Sequence, residues 1–337
     1  MRCIASLFFL LTSLAIVATN ASLAQDAKQE PDPTVTLLYA GDIMLADGPG
    51  RAIARGVDPF AEFASLFQEC DVVVGNLECV IATTGTAVKK PWTFRADVKT
   101  IPLLTKYFHA VSLANNHTGD FGHDAFLEQL TLFSGKLPAF GGGKNLAEAR
   151  KPVIIERNGI RFALLGYNEF KPRSFAASET TPGVAWSIDE HVLEDIRLAR
   201  TQYKADLVIP YMHWGFEYEP GANKRQSELA RRMIDAGADI VLGAHPHVTQ
   251  GYDVYNNKLI LYSLGNFVFD GFSEPAAKQG WLVKLQFKKS GLQSWNTVVA
   301  KIDDEGVPHL DLKTPSPSGK LPATSTIPPL PEEPSGF

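Results

Sequence analysis

The sequence has no excess of positive charge. Its 337 residues include 32 Lys and Arg against 37 Asp and Glu, which gives a formal net charge of −5 at pH 7. It also has no basic block or Lys/Arg stripe, so we expect no nucleic-acid partner held by bulk electrostatics. Nor does it carry an internal repeat at the period of a solenoid, and its overall composition is that of an ordinary globular protein.

Cysteine is scarce. Of the three cysteines, Cys3 lies in an N-terminal hydrophobic stretch, whereas Cys70 and Cys79 flank the segment "DVVVGN". That segment reads as a strand, and five or six extended residues hold their ends about 16–20 Å apart. A disulfide needs Cα atoms within about 7 Å of each other. We therefore expect Cys70 and Cys79 to be buried free thiols.

The N-terminal hydrophobic stretch is too short for a membrane-spanning helix, which needs roughly 20 apolar residues. Residues 4–18 are mostly Ile, Leu, Phe, Ala and Val, with Arg2 before them and "ASLAQ" after them. This arrangement is typical of a secretory signal peptide over residues 1–24, cleaved after Ala24. We expect an exported protein, periplasmic or secreted, and an uncleaved membrane anchor is the alternative.

Polar and Pro-containing segments mark the ends of the predicted domain. Residues 25–33 form a polar linker that contains proline. Residues 314–337 are rich in Pro, Ser and Thr with almost nothing to bury, so we expect a disordered tail there. The domain itself is predicted to cover residues 34–313.

Within the domain, short apolar strand runs alternate with helical patterns, which is typical of a layered α/β fold. The dipeptides Asn158-Gly159 and Asn256-Asn257 separate pairs of strand runs and predict hairpins. Pure doubly wound sheets rarely carry so many hairpins. We therefore predict an α/β fold with two mixed sheets packed face to face and helices outside them, a four-layer α/β/β/α sandwich.

Five of the predicted strands lead to residues suited to chemistry. The runs and the residues that follow them are 34–40 with Asp42, 71–75 with Asn76 and Glu78, 110–114 with Asn115, Asn116 and His117, 206–212 with His213, and 239–244 with His245 and His247. Ligand sites of α/β folds lie beyond the carboxyl ends of strands, so neighbouring strands would deliver these side chains to one crevice. His245 and His247 are alternate residues of a segment that we predict to be extended, and alternate residues share a face.

The side chains of this set are carboxylates, amides and imidazoles, without a thiolate. Such ligands are suited to Mn²⁺, Fe²⁺ or Zn²⁺. A structural zinc site would instead be rich in cysteine. Two ions about 3.5–4 Å apart are the usual arrangement for in-line phosphoryl displacement, and a bridging carboxylate is needed to hold them that close. The sequence therefore predicts a centre for divalent metal ions, with two sites.

The order of these motifs resembles the calcineurin-like metallophosphoesterase superfamily and, within it, the bacterial capsule-synthesis CapA family, whose namesake polymer is poly-γ-glutamate. The segments that carry the resemblance are "GDIML", "VGNLE", "FRA", "SLANNH", "GGGKNLAEARKPVI", "HWGFEYE", "GADIVLGAHPH" and "LILYSLGNFVF", spread over roughly residues 35–305. The resemblance implies a metallophosphoesterase-like fold. It also implies a role in making, exporting or attaching an anionic envelope polymer.

Carried over to this sequence, the superfamily's motifs imply a role for most of the polar set. The implied metal ligands are Asp42, Asn116, His213, His245 and His247. His117 is implied to donate a proton to the leaving group, and a supporting hydrogen bond is the alternative role for it.

Two positions depart from the superfamily. Met44 stands where the first motif of the superfamily has His, and Asn76 stands where its second motif has Asp. Glu78, two residues further on and expected to face the same way, is our candidate for the bridging carboxylate. Asn76 and Asn115 are then expected to be hydrogen-bonding neighbours of the ligands. The two departures leave one metal site with fewer ligands.

Three further residues are candidates for contact with substrate. Lys90 and Arg95 flank "PWTF" and are candidate anchors for an anionic substrate. Glu217 follows His213 in "HWGFEYE" and is a candidate for the mouth of the site, with a solvated loop as an equal alternative.

These residues support two functions of different classes. The first is an exported, metal-dependent hydrolase of phosphoesterase type that acts on an anionic polymer or phosphoester, with amide hydrolysis as a variant. The second is a non-catalytic component that binds polymer or the membrane-bound proteins of a capsule-synthesis complex. Met44 and Asn76 motivate the second function, because they weaken the ligand set.

Overall fold

The chain forms two β-sheets with helices on their outer faces, and the computed structural model describes residues 33–321. The strands in this range are β1 (Val35–Ile43), β2 (Val72–Leu77), β3 (Val80–Ile81), β4 (Arg95–Ala96), β5 (Ala110–Ser112), β6 (Ala139–Phe140), β7 (Gly142–Gly143), β8 (Val153–Arg157), β9 (Ile160–Asn168), β10 (Gly183–Val184), β11 (Leu207–His213), β12 (Ile240–Ala244), β13 (Thr249–Tyr255), β14 (Lys258–Leu264), β15 (Asn266–Val268), β16 (Gln279–Lys288), β17 (Gly291–Ile302), β18 (Pro308–Asp311) and β19 (Ser318–Lys320). The α-helices are α1 (Asp47–Ala54), α2 (Ala64–Gln68), α3 (Ile101–Tyr107), α4 (Gly122–Phe133), α5 (Leu146–Arg150), α6 (Asp189–Thr201) and α7 (Lys224–Asp235). Short 3-10 helices cover Ala61–Phe63, Val98–Thr100, Arg173–Phe175 and Pro275–Lys278.

Both large sheets are mixed. The first has the strand order β18-β17-β16-β1-β2-β5-β6, with β15 paired to β1 and β19 paired to β17. Its strands β1, β2, β5 and β6 are parallel, whereas β16 runs antiparallel to β1. The second sheet has the order β13-β14-β12-β11-β9-β8, in which the outer strands β13 and β8 are antiparallel to their neighbours. Short pairs β3-β4 and β7-β10 lie outside these sheets.

Both predicted hairpins are present. Asn158-Gly159 joins β8 to β9, and Asn256-Asn257 joins β13 to β14. All four turn residues have positive φ, between 48° and 71°. Two-residue turns of this handedness match the twist of the flanking strands, and Asn and Gly tolerate the left-handed backbone that the turn requires.

Three hydrophobic layers define the sandwich. Between the sheets, Leu37 of β1 and Val74 of β2 pack in one cluster with Phe162 of β9 and Ile209 of β11. A second cluster joins the other face of the first sheet to α2, α3 and α4, and a third joins the other face of the second sheet to α6 and α7. The predicted four-layer α/β/β/α arrangement with two mixed sheets is confirmed.

The outer layer on the first sheet is rich in phenylalanine. Phe60, Phe63 and Phe67 recur at helical spacing and are all buried. The ring centroid of Phe60 lies 5.2 Å from that of Phe108, and the centroid of Phe63 lies 5.0 Å from that of Phe267, both in edge-to-face contact. Each fully buried ring contributes about 1.5–3 kcal/mol from removal of its apolar surface from water. This cluster fixes the helical layer against the strands that lead to Asp42, Asn76 and His117.

Helix α7 connects β11, which ends at His213, to β12, which His245 follows directly. Its first residue follows Asn223, whose side chain accepts a hydrogen bond from the backbone N–H of Gln226, and the side chain of Gln226 accepts one from the backbone N–H of Asn223. This reciprocal cap satisfies backbone donors that the first turn of a helix leaves unpaired. The sequence pattern over residues 223–237 predicts this helix.

The predicted start of the disordered tail, residue 314, lies too early in the sequence. Residues 314–337 were expected to be disordered, yet Ser318–Lys320 form β19, which pairs with β17. The backbone N–H of Leu321 donates to the carbonyl of Gln293, and the Leu321 side chain is 9% exposed. One apolar side chain and a short backbone ladder are enough to add this segment to the sheet. Residues 322–337 lie outside the described part of the chain.

The predicted signal peptide over residues 1–24 also lies outside the described residues, as does nearly all of the linker at 25–33. None of the helices within residues 33–321 has the length and apolar character needed to cross a bilayer. Export and cleavage after Ala24 therefore stay predictions.

The two cysteines of the domain are buried free thiols, as predicted. Burial raises the pKa of Cys70 to about 11 and that of Cys79 to about 12. Because the thiolate is the reactive form, these side chains act as small apolar groups of the outer layer at neutral pH.

Candidate metal centre

Five strand ends meet at one end of the sandwich. β1, β2 and β5 are adjacent in the first sheet, and β11 and β12 are adjacent in the second. Asp42 of β1 is in register with Asn76 of β2, and His213 of β11 is in register with Ala244, the last residue of β12. The polar side chains that follow these strands therefore come from two sheets and face one another across the interior.

Asp42 is fully buried and is held by two hydrogen bonds. Its Oδ1 accepts from the Asn76 amide at 2.8 Å, and its Oδ2 accepts from the backbone N–H of His245 at 3.2 Å. The Asn76 amide nitrogen also lies 3.2 Å from Nδ1 of His213, and its Oδ1 accepts from Asn115 at 3.1 Å. The amides of Asn76 and Asn115 thus position a carboxylate and an imidazole.

Two buried side chains have polar atoms without a partner. Neither carboxylate oxygen of Glu78 and neither ring nitrogen of His245 has a hydrogen-bond partner within residues 33–321, and both residues are 0% exposed. Such atoms are costly to bury, because they lose their hydrogen bonds to water and gain none in return. A divalent cation would satisfy them, since carboxylate oxygen and imidazole nitrogen are among its usual ligands.

Glu78 belongs to two groups that are able to hold a metal ion. One group contains Glu78, His245 and His247, and the other contains Asp42, Glu78 and His213. In each group one ligand atom from every residue lies within 4.8 Å of the others. A carboxylate shared by two ligand groups is the arrangement that a pair of ions requires. The residues present therefore fit divalent metal ions, by both geometry and donor type.

Asn116 lies directly beside His213. Its Oδ1 is 2.7 Å from Nε2 of His213, and the same nitrogen is 3.4 Å from Oε1 of Glu78. An amide oxygen, an imidazole nitrogen and a carboxylate oxygen are thus clustered at the second ligand group. The structure therefore brings Asn116 to the ligand set with which the sequence associates it.

His245 and His247 reach the centre through a tight turn, so the expectation that they alternate along an extended segment is wrong. β12 ends at Ala244, and the φ angles of His245 and His247 are 97° and 58°. This left-handed backbone is unfavourable for residues with a Cβ atom, and it persists where surrounding contacts impose it. The two imidazole centroids lie 5.9 Å apart as a result of the turn.

Asn266 orients His247. Its Oδ1 lies 2.9 Å from Nδ1 of His247, and its amide nitrogen donates to the carbonyl of Ala277 at 2.9 Å. Since Nδ1 is engaged, Nε2 of His247 is left as the ligand atom, which is how buried partners commonly set the orientation of metal-binding histidines. Sequence reasoning missed Asn266. Its signal is the segment "LGNFVF", which carries part of the family resemblance but was given no residue role.

Burial keeps the imidazoles of the centre neutral. It lowers the pKa of His213 and of His245 well below the ordinary value, and the neighbouring imidazoles lower both further. Burial also lowers the pKa of His247 to about 4, against the hydrogen bond with Asn266. The neutral imidazole is the form that binds metal.

Burial acts in the opposite direction on the acids. It raises the pKa of Asp42 to about 7, against the hydrogen bonds from Asn76 and from the His245 backbone. It raises the pKa of Glu78 well above the ordinary value, and the nearby charge of Asp42 adds to this. Without a cation, the centre therefore disfavours two ionised carboxylates, and a bound cation would reverse that preference.

His117 forms a buried group with Asp120 and Lys90. Its Nδ1 donates to Oδ2 of Asp120 over 2.7 Å, and Lys90 makes an ion pair with Oδ1 of the same carboxylate. Lys90 also donates to the backbone carbonyl of Asn116 at 2.9 Å. Nε2 of His117 is thus the nitrogen left to exchange a proton. Burial lowers the pKa of His117, and Asp120 opposes that effect.

Replacing Asp120 with Asn is expected to lower the free energy of unfolding by about 2 kcal/mol, because the substitution leaves the Lys90 ammonium without its carboxylate. The Asp120 side chain is 1% exposed and that of Lys90 is 18% exposed, so solvent weakens the effect below that of a fully buried pair. Denaturant unfolding of Asp120→Asn, Lys90→Met and the double variant would give the coupling energy. Additive effects of the two substitutions would contradict an ion pair that stabilises the site.

The three candidates for substrate contact differ in their placement. Lys90 is engaged by Asp120, so it is a positioning residue of the centre in this structure. Arg95 donates to the carbonyls of Thr84 and Gly85, and its guanidinium stacks over Phe121. Glu217 is exposed on the loop after β11, and its charge contributes to the raised pKa of Glu78, which puts it near the centre.

Aromatic rings surround the imidazoles, a feature that sequence reasoning also missed. The ring of Phe94 lies 4.4 Å from that of His117, and the ring of Phe170 lies 3.8 Å from that of His245, centroid to centroid. The centroid of Phe272 lies 4.9 Å from that of His247. These phenylalanines are far apart in the sequence and carry no polar signal, which is why only folding reveals them.

Residues 36–271 match the family described as "Bacterial capsule synthesis protein PGA_cap". The chain belongs to this family. Among its relatives, the "PGA biosynthesis protein CapA" of Bacillus subtilis (strain 168) is 34% identical over 282 residues, which are 78% of this chain and 70% of the relative. The "Capsule biosynthesis protein CapA" of Bacillus anthracis is 31% identical over 327 residues, which are 91% of this chain and 77% of the relative. Membership links the chain to capsule and poly-γ-glutamate synthesis.

A solved structure supports the fold of this PGA_cap protein. The crystal structure of a hypothetical protein from Thermus thermophilus is similar with a TM-score of 0.50 and 18% identity, covering 79% of this chain and 99% of that one. At this level of identity the similarity concerns the fold alone.

In this PGA_cap protein Met44 is not placed as a ligand. Its sulfur accepts the backbone N–H of Ala46 at 3.1 Å, and its side chain is fully buried in the outer hydrophobic layer of the first sheet. Asn76 is likewise occupied by its amide hydrogen bonds. The ligand groups are therefore assembled from Asp42, Glu78 and the histidines, without the two positions at which the sequence departs from the superfamily.

Proposed function

We propose that this chain is an exported, metal-dependent hydrolase of phosphoesterase type that serves the synthesis or export of an anionic envelope polymer. The observation that carries the proposal is the position of Glu78, whose unpartnered carboxylate belongs to both ligand groups. A buried acid without hydrogen bonds is difficult to explain as a purely structural residue, because its burial costs free energy. A divalent ion held by either ligand group would satisfy the same carboxylate.

The donor set also supports the proposal. The residues that would hold metal are Asp42, Glu78, Asn116, His213, His245 and His247. Divalent ions bound there supply the Lewis acidity that polarises a phosphoryl oxygen and makes water a better nucleophile. The metal identity that this donor set favours is Mn²⁺, Fe²⁺ or Zn²⁺.

The chain's own residues would act around these ions in three ways. His117 would hold a proton on Nε2 and pass it to the leaving oxygen, while Asp120 fixes the orientation of the ring through Nδ1. Asn76 and Asn266 would keep Asp42 and His247 in orientation through the hydrogen bonds described above. The surrounding phenylalanines would exclude bulk water, which strengthens every charge interaction inside the centre.

A second candidate function is binding without hydrolysis. It is favoured by Met44 and Asn76, since neither is free to act as a ligand. In that case the chain would hold the polymer, or the membrane-bound proteins of a capsule-synthesis complex, and the centre would bind metal to stabilise the fold.

Hydrolysis assays on purified protein would test the first function. Metal content would be measured by elemental analysis, and chromogenic phosphodiester and phosphomonoester substrates would be offered with Mn²⁺, Fe²⁺ and Zn²⁺ in turn. We expect metal-stimulated turnover that falls by about 10²–10⁴-fold in His117→Ala, since His117 would supply acid catalysis. Metal content should be unchanged in that variant.

One outcome would contradict the hydrolase, and another would contradict the role given to His117. The first is metal binding without turnover on any substrate, combined with polymer binding that survives in His117→Ala, which would favour the second function. The second is turnover that His117→Ala leaves unchanged, which would remove the proton-donor role. Export would be tested separately, by N-terminal sequencing of the protein recovered from its native cells, with Gln25 expected as the first residue.

A further inference from the structure

A groove runs along the side of the sandwich, away from the metal centre. It lies where both sheets end, because β6 is the last strand of the first sheet and β8 is the last strand of the second. The groove has a volume of about 920 Å³ and is lined by residues from the end of α4, the loop that leads to β6, the segment around β7, and the start of β8. None of the ligand residues of the metal centre lines it.

The charges in this groove are mostly positive, although the chain as a whole is negative. Its charged lining consists of Lys136, Lys144 and Lys151 against the one acid Glu148. All three lysines are exposed, and no acidic side chain within residues 33–321 forms an ion pair with them, in contrast to Lys258 and Lys284. The Glu148 carboxylate accepts the backbone N–H of Lys144 at 3.1 Å, so it faces the backbone. The groove therefore offers three cations to an anionic ligand.

The uncharged part of the groove suits an extended chain with amide groups. Phe133 and Leu137 give it an apolar base, and both are nearly fully buried. β8 pairs with β9 alone among the described strands, so one side of its backbone has no strand partner. Unpaired strand edges bind extended segments through main-chain hydrogen bonds. Val153 and Ile154 bring this edge to the groove.

We propose that this groove binds a segment of a poly-γ-glutamate chain. Such a polymer carries one carboxylate and one amide per residue, joined by methylene groups. Its carboxylates would pair with Lys136, Lys144 and Lys151, its amides would bond to the free edge of β8, and its methylenes would contact the apolar base. The inference rests on the proposed role with an anionic polymer and is independent of hydrolysis at the metal centre.

Binding of fluorescently labelled poly-γ-glutamate, followed by fluorescence anisotropy at low and at physiological ionic strength, would test this site. The variant Lys136→Gln/Lys144→Gln/Lys151→Gln is expected to bind at least about tenfold more weakly than the parent protein, and to lose most of the salt dependence of binding. The matched control Lys224→Gln/Lys313→Gln/Lys320→Gln removes the same charge from exposed lysines outside the groove. It is expected to bind within about twofold of the parent.

Three results with poly-γ-glutamate would overturn the proposal. These are an absence of polymer binding by the parent protein, equal affinities of the groove variant and the parent, and equal loss of affinity in the groove and control variants. Polyphosphate serves as a comparison polyanion, and binding as tight as that of poly-γ-glutamate would overturn the assignment to a polyamide. Turnover of the chromogenic substrates by the parent protein is measured separately from polymer binding, so a failure of the hydrolase and a failure of the groove give different results.

Discussion

Replacing Glu78 with Gln is expected to weaken metal binding by roughly 100-fold or more, because one substitution removes a ligand from both groups. Loss of a residue that merely supports a ligand costs about 10–100-fold in affinity, and Glu78 would contact the ions themselves. Gln has the same shape as Glu and no charge, so the fold should persist. We expect the melting temperature of the metal-free variant to stay within about 3 °C of that of the metal-free parent.

Elemental analysis and calorimetric titration with Zn²⁺ and Mn²⁺ would measure this effect. Glu217→Gln is the matched control, since it removes a carboxylate near the centre that belongs to neither ligand group. Its metal content should equal that of the parent. If Glu78→Gln retained the metal content of the parent, the bridging role would be wrong. If both variants lost metal equally, the loss would reflect the overall charge near the site.

Replacing Gly41 with Ala is expected to lower the free energy of unfolding by about 3 kcal/mol, because no space exists for the added methyl group. A Cβ atom on Gly41 would lie 1.9 Å from the carbonyl oxygen of Gly265. The obstacle is backbone, which cannot move away as a flexible side chain would. The next residue, Asp42, donates its backbone N–H to the same carbonyl at 3.0 Å. The methyl group would therefore also displace Asp42, a candidate ligand of the metal centre.

Thermal and denaturant unfolding would measure the change, and the melting temperature should fall by roughly 6–10 °C. Gly221→Ala is the matched control, since a Cβ atom there meets nothing within 4 Å. The control should change stability by less than about 0.5 kcal/mol. Metal affinity provides a second measurement, which should fall in Gly41→Ala and stay constant in Gly221→Ala. Equal stability of the two variants would contradict the close approach at Gly41.

The strands and helices could be predicted because their patterns are local. The apolar, β-branched run at 71–75 corresponds to β2, and the pattern over 223–237 corresponds to α7 with its reciprocal cap. The tail was harder to predict, because β19 is three residues long and depends on an edge of β17 that the sequence does not reveal. Short strands gain their stability from a partner strand. A prediction from composition alone therefore assigns such a segment to a disordered tail.

The candidate site also combines residues that local patterns predict with residues whose roles depend on distant partners. Asp42, Glu78, His213, His245 and His247 were predicted as ligands because ligand-type residues follow predicted strands, which is a local signal, and the structure brings them together. Asp120 and Asn266 were missed, although both lie within or beside segments that attracted attention, because their roles depend on the histidines that they contact. Hydrogen bonds between side chains far apart in the sequence leave no periodic pattern.

Arg95 and Lys90 illustrate a further limit. Their charge and position beside "PWTF" indicate contact with an anionic substrate, yet Lys90 pairs with Asp120 and Arg95 binds the carbonyls of a nearby loop. A sequence shows that a cationic side chain is present. It does not show which acceptor in the fold that side chain pairs with. The lysines of the groove were identified from the structure instead, because no acidic side chain in the described part of the chain forms an ion pair with them.

By itself, the sequence determined which candidate ligand types are present, in which order along the chain, and which strands they follow. The tertiary structure alone decided that one carboxylate, Glu78, stands between two groups of ligands and that His245 and His247 meet through a left-handed turn. The reason is physical. Side-chain type and strand propensity are properties of short segments, whereas distances of a few ångströms between residues 42, 78, 213 and 245 depend on how two separately formed sheets pack against each other.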